Sequence, residues 1–207
     1  MTGKGISHRM TKRSITTRGL PLAALLLLGG CLGGLGGKVP PQLISLTAAD
    51  PAPAGPLGGG SAGSGLIVLD PETDRRIDVQ RVPVQVSPST VAYLKDAMWV
   101  EKPARQFRRL LAETIRAKSG RLVLEGGEAE AVGRDMLAGR LVDLGYDAAS
   151  QSVVVRYDAI RNDGKGAVSV RRFESIVPGV SPKAETVGPA LNRAANDVAR
   201  QVAAWIG

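Results

Sequence analysis

Cysteine and histidine each occur once in the 207 residues, and this scarcity excludes several kinds of chemistry. The histidine, His8, lies in a basic N-terminal segment that we expect to be removed on export. A Ser-His-Asp triad needs a histidine base, and most zinc, copper and haem sites need histidine or cysteine ligands. We therefore expect no catalytic residues, no metal site, no cofactor and no enzyme activity in the mature chain.

Aromatic residues are scarce as well, at 3% of the sequence, so Val, Leu, Ile and Ala have to fill the core. Hydrophobic residues make up 43% of the chain. This length and composition are typical of one domain with a modest core.

Acidic residues are absent from the first thirty positions, which carry five basic residues. The apolar run at 20–28 follows this basic segment, and it is far shorter than the ~20 residues of a membrane-spanning helix. A basic segment, a short apolar run and small residues, in this order, are typical of a secretory signal peptide. We therefore expect residues 1–30 to be a signal peptide.

The single cysteine, Cys31, follows Leu28-Gly29-Gly30, and this stretch resembles the bacterial lipobox. The resemblance implies that signal peptidase cuts between Gly30 and Cys31. It also implies that Cys31 carries a covalent diacylglycerol and an N-acyl chain such as palmitate, which together hold a protein on a bilayer almost permanently. The alternative is a chance cysteine after an ordinary signal peptide or N-terminal anchor.

Most of the positive charge belongs to this leader. The whole sequence has a net charge of +8, from 27 basic and 19 acidic residues. Removal of the five basic residues of the leader leaves 22 basic and 19 acidic residues, a net charge of +3. A charge this small gives no reason to expect binding to nucleic acid.

The mature chain is expected to consist of a tether and one domain. Residues 31–41 start with the lipidated cysteine and continue as a Gly- and Pro-rich segment, which predicts a flexible tether. Ten such residues span roughly 16–19 Å on average and about 35 Å at most, so the domain should lie close to its membrane. The domain is predicted over 42–207, with a mobile loop at 49–65.

Alternating apolar residues predict strands in this domain, and a 3.6-residue period predicts two helices. The strands are expected at 42–48, 66–70, 75–86, 121–125, 135–147, 151–161 and 167–177, and the helices at 103–118 and 186–206. Core positions in the two central strands are predicted to be Met136, Ala138, Val142, Leu144 and Tyr146, and Val153, Val155, Tyr157 and Ala159. This order predicts an α+β domain with two main helices packed on one face of an antiparallel-rich sheet.

The segment 86–103 reads as irregular sequence between a strand and a helix, and it contains two of the few aromatic residues, Tyr93 and Trp99. Tyrosine and tryptophan are favoured anchors at protein interfaces, so both are candidate partner-binding residues. The alternative is that Trp99 packs in the core under the first helix. If this segment does not bind the partner, the outer face of the sheet around Arg140, Arg156 and Arg172 is the next candidate.

Several stretches together resemble the ABC-type transport auxiliary lipoproteins, the PqiC-like family. They are the lipobox, "LISLTA", "IDVQRVPVQV" and "YLKDAMWVEKPARQFRRLLAETI". The resemblance implies an accessory lipoprotein that stands beside an ABC transporter whose substrate-binding component is a mammalian-cell-entry (MCE) domain protein. Such systems are linked to lipid movement between the two bacterial membranes.

The residue after the cysteine, Leu32, implies by the sorting rule for these lipoproteins that the anchor lies at the periplasmic face of the outer membrane. The expected partners are therefore the MCE-domain protein, the ABC transporter subunits and, through the lipid anchor, the membrane. The alternative function is a structural or assembly lipoprotein of another envelope complex.

Overall fold

The computed structural model describes residues 42–56, 58–59, 63–125 and 133–207. Within these ranges the chain forms eight strands and two helices. In chain order they are β1 (Gly63–Val68), β2 (Glu72–Thr73), β3 (Arg81–Ser87), β4 (Thr90–Met98), α1 (Pro103–Ser119), β5 (Val123–Glu125), β6 (Gly133–Asp147), β7 (Ser152–Asn162), β8 (Val168–Val177) and α2 (Ala184–Ile206).

The long strand β6 organises the sheet. One of its edges pairs along most of its length with β7, which in turn pairs with β8, and both pairings are antiparallel. Its other edge pairs successively with β1, β2 and β3, all parallel. β5 extends the sheet beyond β1, and β4 extends it beyond β3. The sheet is therefore mixed, with its longest pairings antiparallel.

Both helices cover the same face of this sheet, which confirms the predicted α+β architecture. The four residues of β7 predicted to face the core are fully buried there. The Phe107 ring of α1 meets the Tyr157 ring edge-on, with the ring centroids 5.2 Å apart. The alanines and valines of α2 let this helix lie close to β7 and β8. The core is aliphatic around a few aromatic rings, as the composition requires.

The predicted face of β6 is wrong in its first half, because the strand contains a bulge. Leu137 and Leu141 face the core before the irregularity between Leu141 and Asp143. Leu144 and Tyr146 face the core after it. One extra residue in a strand moves every later side chain to the opposite face. The prediction assumed one uninterrupted alternation over 135–147, and it therefore placed Met136 and Ala138 on the wrong face of the sheet.

The segment predicted as irregular, 86–103, contains strand β4, which forms an antiparallel hairpin with β3. Two irregularities in the pairing of β3 with β4, and a positive φ of 53° at Asp96, interrupt its alternation. The residues before β3 form a turn instead of the predicted strand, and Asp74 Oδ1 accepts hydrogen bonds there from the amides of Arg76 and Ile77. The predicted strand 75–86 therefore begins only at Arg81.

The first described segment, predicted as a strand over 42–48, makes one bridge, between Ile44 and Trp99. Beyond it, helix side chains take the place of a neighbouring strand. The amide of Leu46 donates to Gln106 Oε1 of α1, and those of Thr47 and Ala49 donate to Asn192 and Asn196 of α2. The segment therefore runs along the helices, starting near the N-terminal end of each.

Strand β1 starts at Gly63, three residues before the predicted strand and inside the predicted mobile loop. The described part of that loop includes Ala52, whose amide donates to Glu113 Oε1 of α1. The mobility of 49–65 stays a prediction.

Gly139 of β6 leaves room for Tyr157, and we expect Gly139→Ala to destabilise the domain. A methyl group at this position would meet the carbonyl oxygen of Asp158 and would lie 2.5 Å from the Tyr157 hydroxyl, which donates to Ala138. Backbone and ring would have to move, at a cost of about 1–3 kcal/mol in the free energy of unfolding. Denaturant titration measures this cost. Gly59→Ala is the control, because nothing lies within 4 Å of its added methyl group; equal stability of the two variants would contradict the prediction.

Candidate partner-binding surface

The two aromatic residues singled out in the sequence lie in different environments. Trp99 is fully buried in the core. Its side chain offers no surface to a partner, which corrects its assignment as a candidate partner-binding residue. Tyr93 is half-buried on β4, with the guanidinium of Arg81 stacked 4.3 Å from its ring centre. Only Tyr93 of the pair can contact another protein directly.

The predicted lipidation and cleavage site, Gly30 and Cys31, lies outside the described residues, so the lipid anchor stays a prediction. None of the helices in the described ranges is long and apolar enough to cross a membrane. Within the same ranges, no group of three histidine, cysteine, aspartate or glutamate residues is arranged to hold a metal ion.

The face of the sheet that points away from the helices, here called the outer face, carries a charged band across β6, β7 and β8. Arg156 binds Asp143 on one side and Glu174 on the other. Arg172 holds Asp158 through two hydrogen bonds of 2.6 and 2.7 Å, and this contact keeps the pKa of Asp158 below its usual range. The arginines of the band are thus largely neutralised by their own strands.

Among the described residues, Arg140 is the exception, because it is exposed and makes no ion pair. Its charge is nevertheless partly balanced, because Arg140 lies directly opposite Asp158 in the β6–β7 pairing and helps to lower the pKa of that carboxyl. The band therefore gives little electrostatic attraction to an acidic partner.

A cavity of about 170 Å³ lies beside this band. Arg76 lines it, but its guanidinium already donates to Asp74, Gln85, Asp143 and the carbonyl of Val142. Four of the five N–H groups of that side chain are therefore already used. The cavity is therefore part of a structural network.

The end of the outer face next to the β7–β8 turn is apolar and exposed. Val168 and Val170 of β8 are 63% and 68% exposed, and Ile160 of β7 is 40% exposed. Ile160 lies directly opposite Val170 in the β7–β8 pairing, and Ala138 of β6 lies opposite Ile160. We call Ile160, Val168 and Val170 the distal patch. Large apolar side chains grouped on a surface in this way mark an interaction site more often than single ones do.

The distal patch lies far from residues 42–44, where the described part of the domain begins. Arg161, next to Ile160, donates to the carbonyl of Ile206 at the C-terminal end of α2. Ile44, near the start of the domain, packs against Gly188 close to the other end of the same helix. These two helix positions are separated by about 27 Å at 1.5 Å per residue. The patch and the first described residues therefore lie near opposite ends of α2.

The model of the ABC-type transport auxiliary lipoprotein component matches residues 45–203, most of the chain. The chain belongs to this family. It is accordingly an auxiliary lipoprotein of an ABC-type transport system, and this confirms the resemblance seen in the sequence. The family name associates the protein with the cell envelope.

Two solved structures share the fold. Protein XCC0632 from Xanthomonas campestris, described as a DUF330 protein, is 21% identical with a TM-score of 0.65, and the match covers 80% of this chain and 94% of that one. A second, described only as an uncharacterized protein, is 14% identical with a TM-score of 0.61 over 80% of this chain and 100% of that one. No curated protein matches the chain.

The distal patch was missed in the sequence, although its signal is present there. Phe173 of "AVSVRRFESIV" is the core residue of β8, so residues an odd number of positions away lie on the outer face. These include Arg172 and Glu174, but also Val168 and Val170. Apolar residues on the charged side of an amphipathic strand indicate an additional apolar contact.

Proposed function

We propose that this auxiliary lipoprotein is a lipid-anchored subunit at the periplasmic face of the outer membrane, which binds the MCE-domain component of an ABC transport system. In this role it assists lipid transport between the inner and outer membranes. The observation that carries the proposal is the distal patch, where three large aliphatic side chains are 40–68% exposed on the outer face of the sheet.

The position of the patch supports this role. A short tether keeps the start of the domain near the outer membrane, and the patch lies about 27 Å further along α2. A partner that reaches across from the inner membrane would meet this distal end first. The apolar patch and the neutralised charge band together favour a partner with an apolar contact surface.

The edge of β8 favours docking on the outer face over addition of a partner strand. Among the described strands, β8 pairs only with β7. The side chain of Gln201 in α2 donates to the carbonyl of Glu174 in β8, 3.1 Å away. A strand added to the free edge of β8 would have to replace this hydrogen bond, whereas contact with the distal patch leaves it in place.

The test compares the wild-type protein with the double variant Val168→Glu/Val170→Glu. Each is used to capture the MCE-domain protein and the ABC ATPase from detergent-solubilised envelopes. Truncation of a side chain at the centre of an interface typically costs about 2 kcal/mol or more of binding free energy. Two glutamates buried there should cost at least as much, which corresponds to about 30-fold lower capture. Melting temperature should hardly change, because both positions are exposed. Ile176→Glu is the matched control, since this residue is 51% exposed on the same face of β8 at its other end.

Each outcome separates two possibilities. Loss of capture by the double variant with normal capture by Ile176→Glu supports docking through the distal patch. Full capture by the double variant contradicts it, and Tyr93→Ala then tests the contact on β4. If the wild-type protein captures neither transport component, the alternative role in another envelope complex is favoured.

A further inference from the structure

The opposite end of the domain, where the tether joins it, has its own exposed surface. Ile44 bridges to Trp99, and both side chains point inward. Their chain neighbours Leu43 and Val100 are 44% and 48% exposed, because successive side chains of extended segments alternate between faces. Two large aliphatic side chains therefore flank the point where the chain joins the domain.

Exposed charged residues lie at this end of the domain as well, and they include the acidic Asp78 and Glu185. Lys102 and Arg105 lie at the start of α1, and Lys183 directly precedes α2. Lys102 pairs with Asp78 at 3.0 Å in an exposed contact, while Arg105 and Lys183 make no ion pair with any described residue. The N-terminal ends of both helices, which carry partial positive charge, lie at the same end of the domain.

We infer that this tether-end surface, formed by Leu43, Val100, Lys102, Arg105 and Lys183, rests on the anionic lipid surface that holds the anchor. The inference depends on the lipid anchor of the proposed function. Ten tether residues reach about 35 Å at most and typically half of that, so the domain cannot move far from the bilayer. Exposed aliphatic side chains with the unpaired cations Arg105 and Lys183 at the starts of the two helices suit the interface between headgroups and acyl chains.

This contact fixes the orientation of the domain. With the tether-end surface on the lipid, α2 starts at the membrane and its C-terminal end points away from it. The distal patch then faces the periplasm. A domain that tumbled freely on its tether would turn the patch to the periplasm only part of the time. Membrane contact thus presents the partner-binding surface.

The experiment uses the mature lipidated protein in vesicles that contain 30% phosphatidylglycerol. An environment-sensitive fluorophore is attached through Val100→Cys in one sample and through Val170→Cys in another. Lipids with a spin-labelled headgroup should quench the fluorophore at position 100 strongly and the one at position 170 weakly. Comparable quenching at the two positions, or stronger quenching at 170, would overturn the inference.

Charge reversal tests the role of the cations. Arg105→Glu/Lys183→Glu in the Val100→Cys background should reduce quenching several-fold, since one interfacial cation is worth roughly a fivefold change in membrane affinity. Lys165→Glu/Arg171→Glu, at the other end of the domain, is the matched control and should leave quenching unchanged. Equal quenching in the two charge-reversed proteins would contradict the electrostatic contact.

Vesicle flotation and the mass of the mature protein report on the anchor separately. A lipidated protein that floats but shows no preferential quenching at position 100 retains the anchor and refutes the surface contact. A protein without lipid that does not float refutes both the anchor and the inference. Loss of MCE-protein capture by the distal-patch variants is independent of either result.

Discussion

Trp99→Ala should lower the free energy of unfolding by about 3–5 kcal/mol, which is a large part of the stability of a domain this size. The side chain is fully buried and is among the largest in the core. Its removal leaves a cavity that the surrounding strands and helices can only partly fill. Urea titration followed by circular dichroism measures the loss.

The backbone around Trp99 explains why the cavity should not close. The amide of Trp99 donates to the carbonyl of Gln80. Across the bridge, the amide of Ile44 donates to the carbonyl of Met98, and the amide of Val100 donates to the carbonyl of Ile44. These bonds hold three separate chain segments at fixed spacing. Collapse into the cavity would require breaking them, so the larger part of the packing loss should remain.

Trp99→Phe is the matched control. The indole Nε1 is buried and has no hydrogen-bond partner among the described residues. Phenylalanine removes this unsatisfied donor while keeping most of the apolar volume, so the two effects partly offset each other. We expect a loss of about 1–2 kcal/mol, well below that of the alanine variant. An alanine variant as stable as the phenylalanine variant would show that Trp99 is not a packing residue.

The strand β7 could be predicted from the sequence because local and global signals agree there. Val153, Val155, Tyr157 and Ala159 alternate without interruption, and "NDG" marks the following turn. Its neighbour β6 could be located but not assigned to faces, since the bulge after Leu141 leaves no mark in the composition. A bulge depends on how the partner strand fits, and one sequence does not contain that information.

The segment 44–49 illustrates a second limit. Ile44, Leu46 and Ala48 alternate as in a strand, and they do face inward. Its hydrogen-bond partners, however, are amide side chains on two helices that follow 60 to 147 residues later. The alternation predicts which side chains are buried. It does not reveal whether the backbone bonds to a strand or to helix side chains.

The candidate site was the hardest part to predict, because the alternation that identifies buried residues does not show which exposed residues bind a partner. Rarity of aromatic residues drew attention to Tyr93 and Trp99, yet rarity alone cannot separate core from surface, and Trp99 is buried. The distal patch consists of common aliphatic residues, so composition does not reveal it. The alternation of β8 identifies it once this strand is known to lie at the sheet edge with Phe173 turned inward.

The second large effect concerns Asp135, a nearly buried carboxylate that joins three parts of the chain. Arg121 donates to its Oδ2 at 2.7 Å, and Arg161 donates to both of its oxygens at 3.0 and 3.3 Å. Arg161 also binds the carbonyl of Ile206 at the end of α2. Burial alone would raise the pKa of Asp135, but the two arginines outweigh burial and hold the pKa below its usual range.

Asp135→Asn should therefore lower the free energy of unfolding by about 3 kcal/mol at neutral pH. This value is at the lower end of the range for a broken buried ion pair, because both arginine side chains are about one-quarter exposed. The folded-state pKa lies below the unfolded value near ~3.9, so the ionised carboxylate stabilises the fold above that pH. Its contribution is lost as the pH falls through the folded-state pKa. The stability difference between wild type and Asp135→Asn should stay constant from about pH 5 to pH 7 and shrink below about pH 4.

Asp78→Asn, which breaks an exposed pair with Lys102, is the control and should cost less than about 1 kcal/mol. A difference for Asp135→Asn that is small at pH 7, or that grows on acidification, would show that the arginines do not depend on this carboxylate.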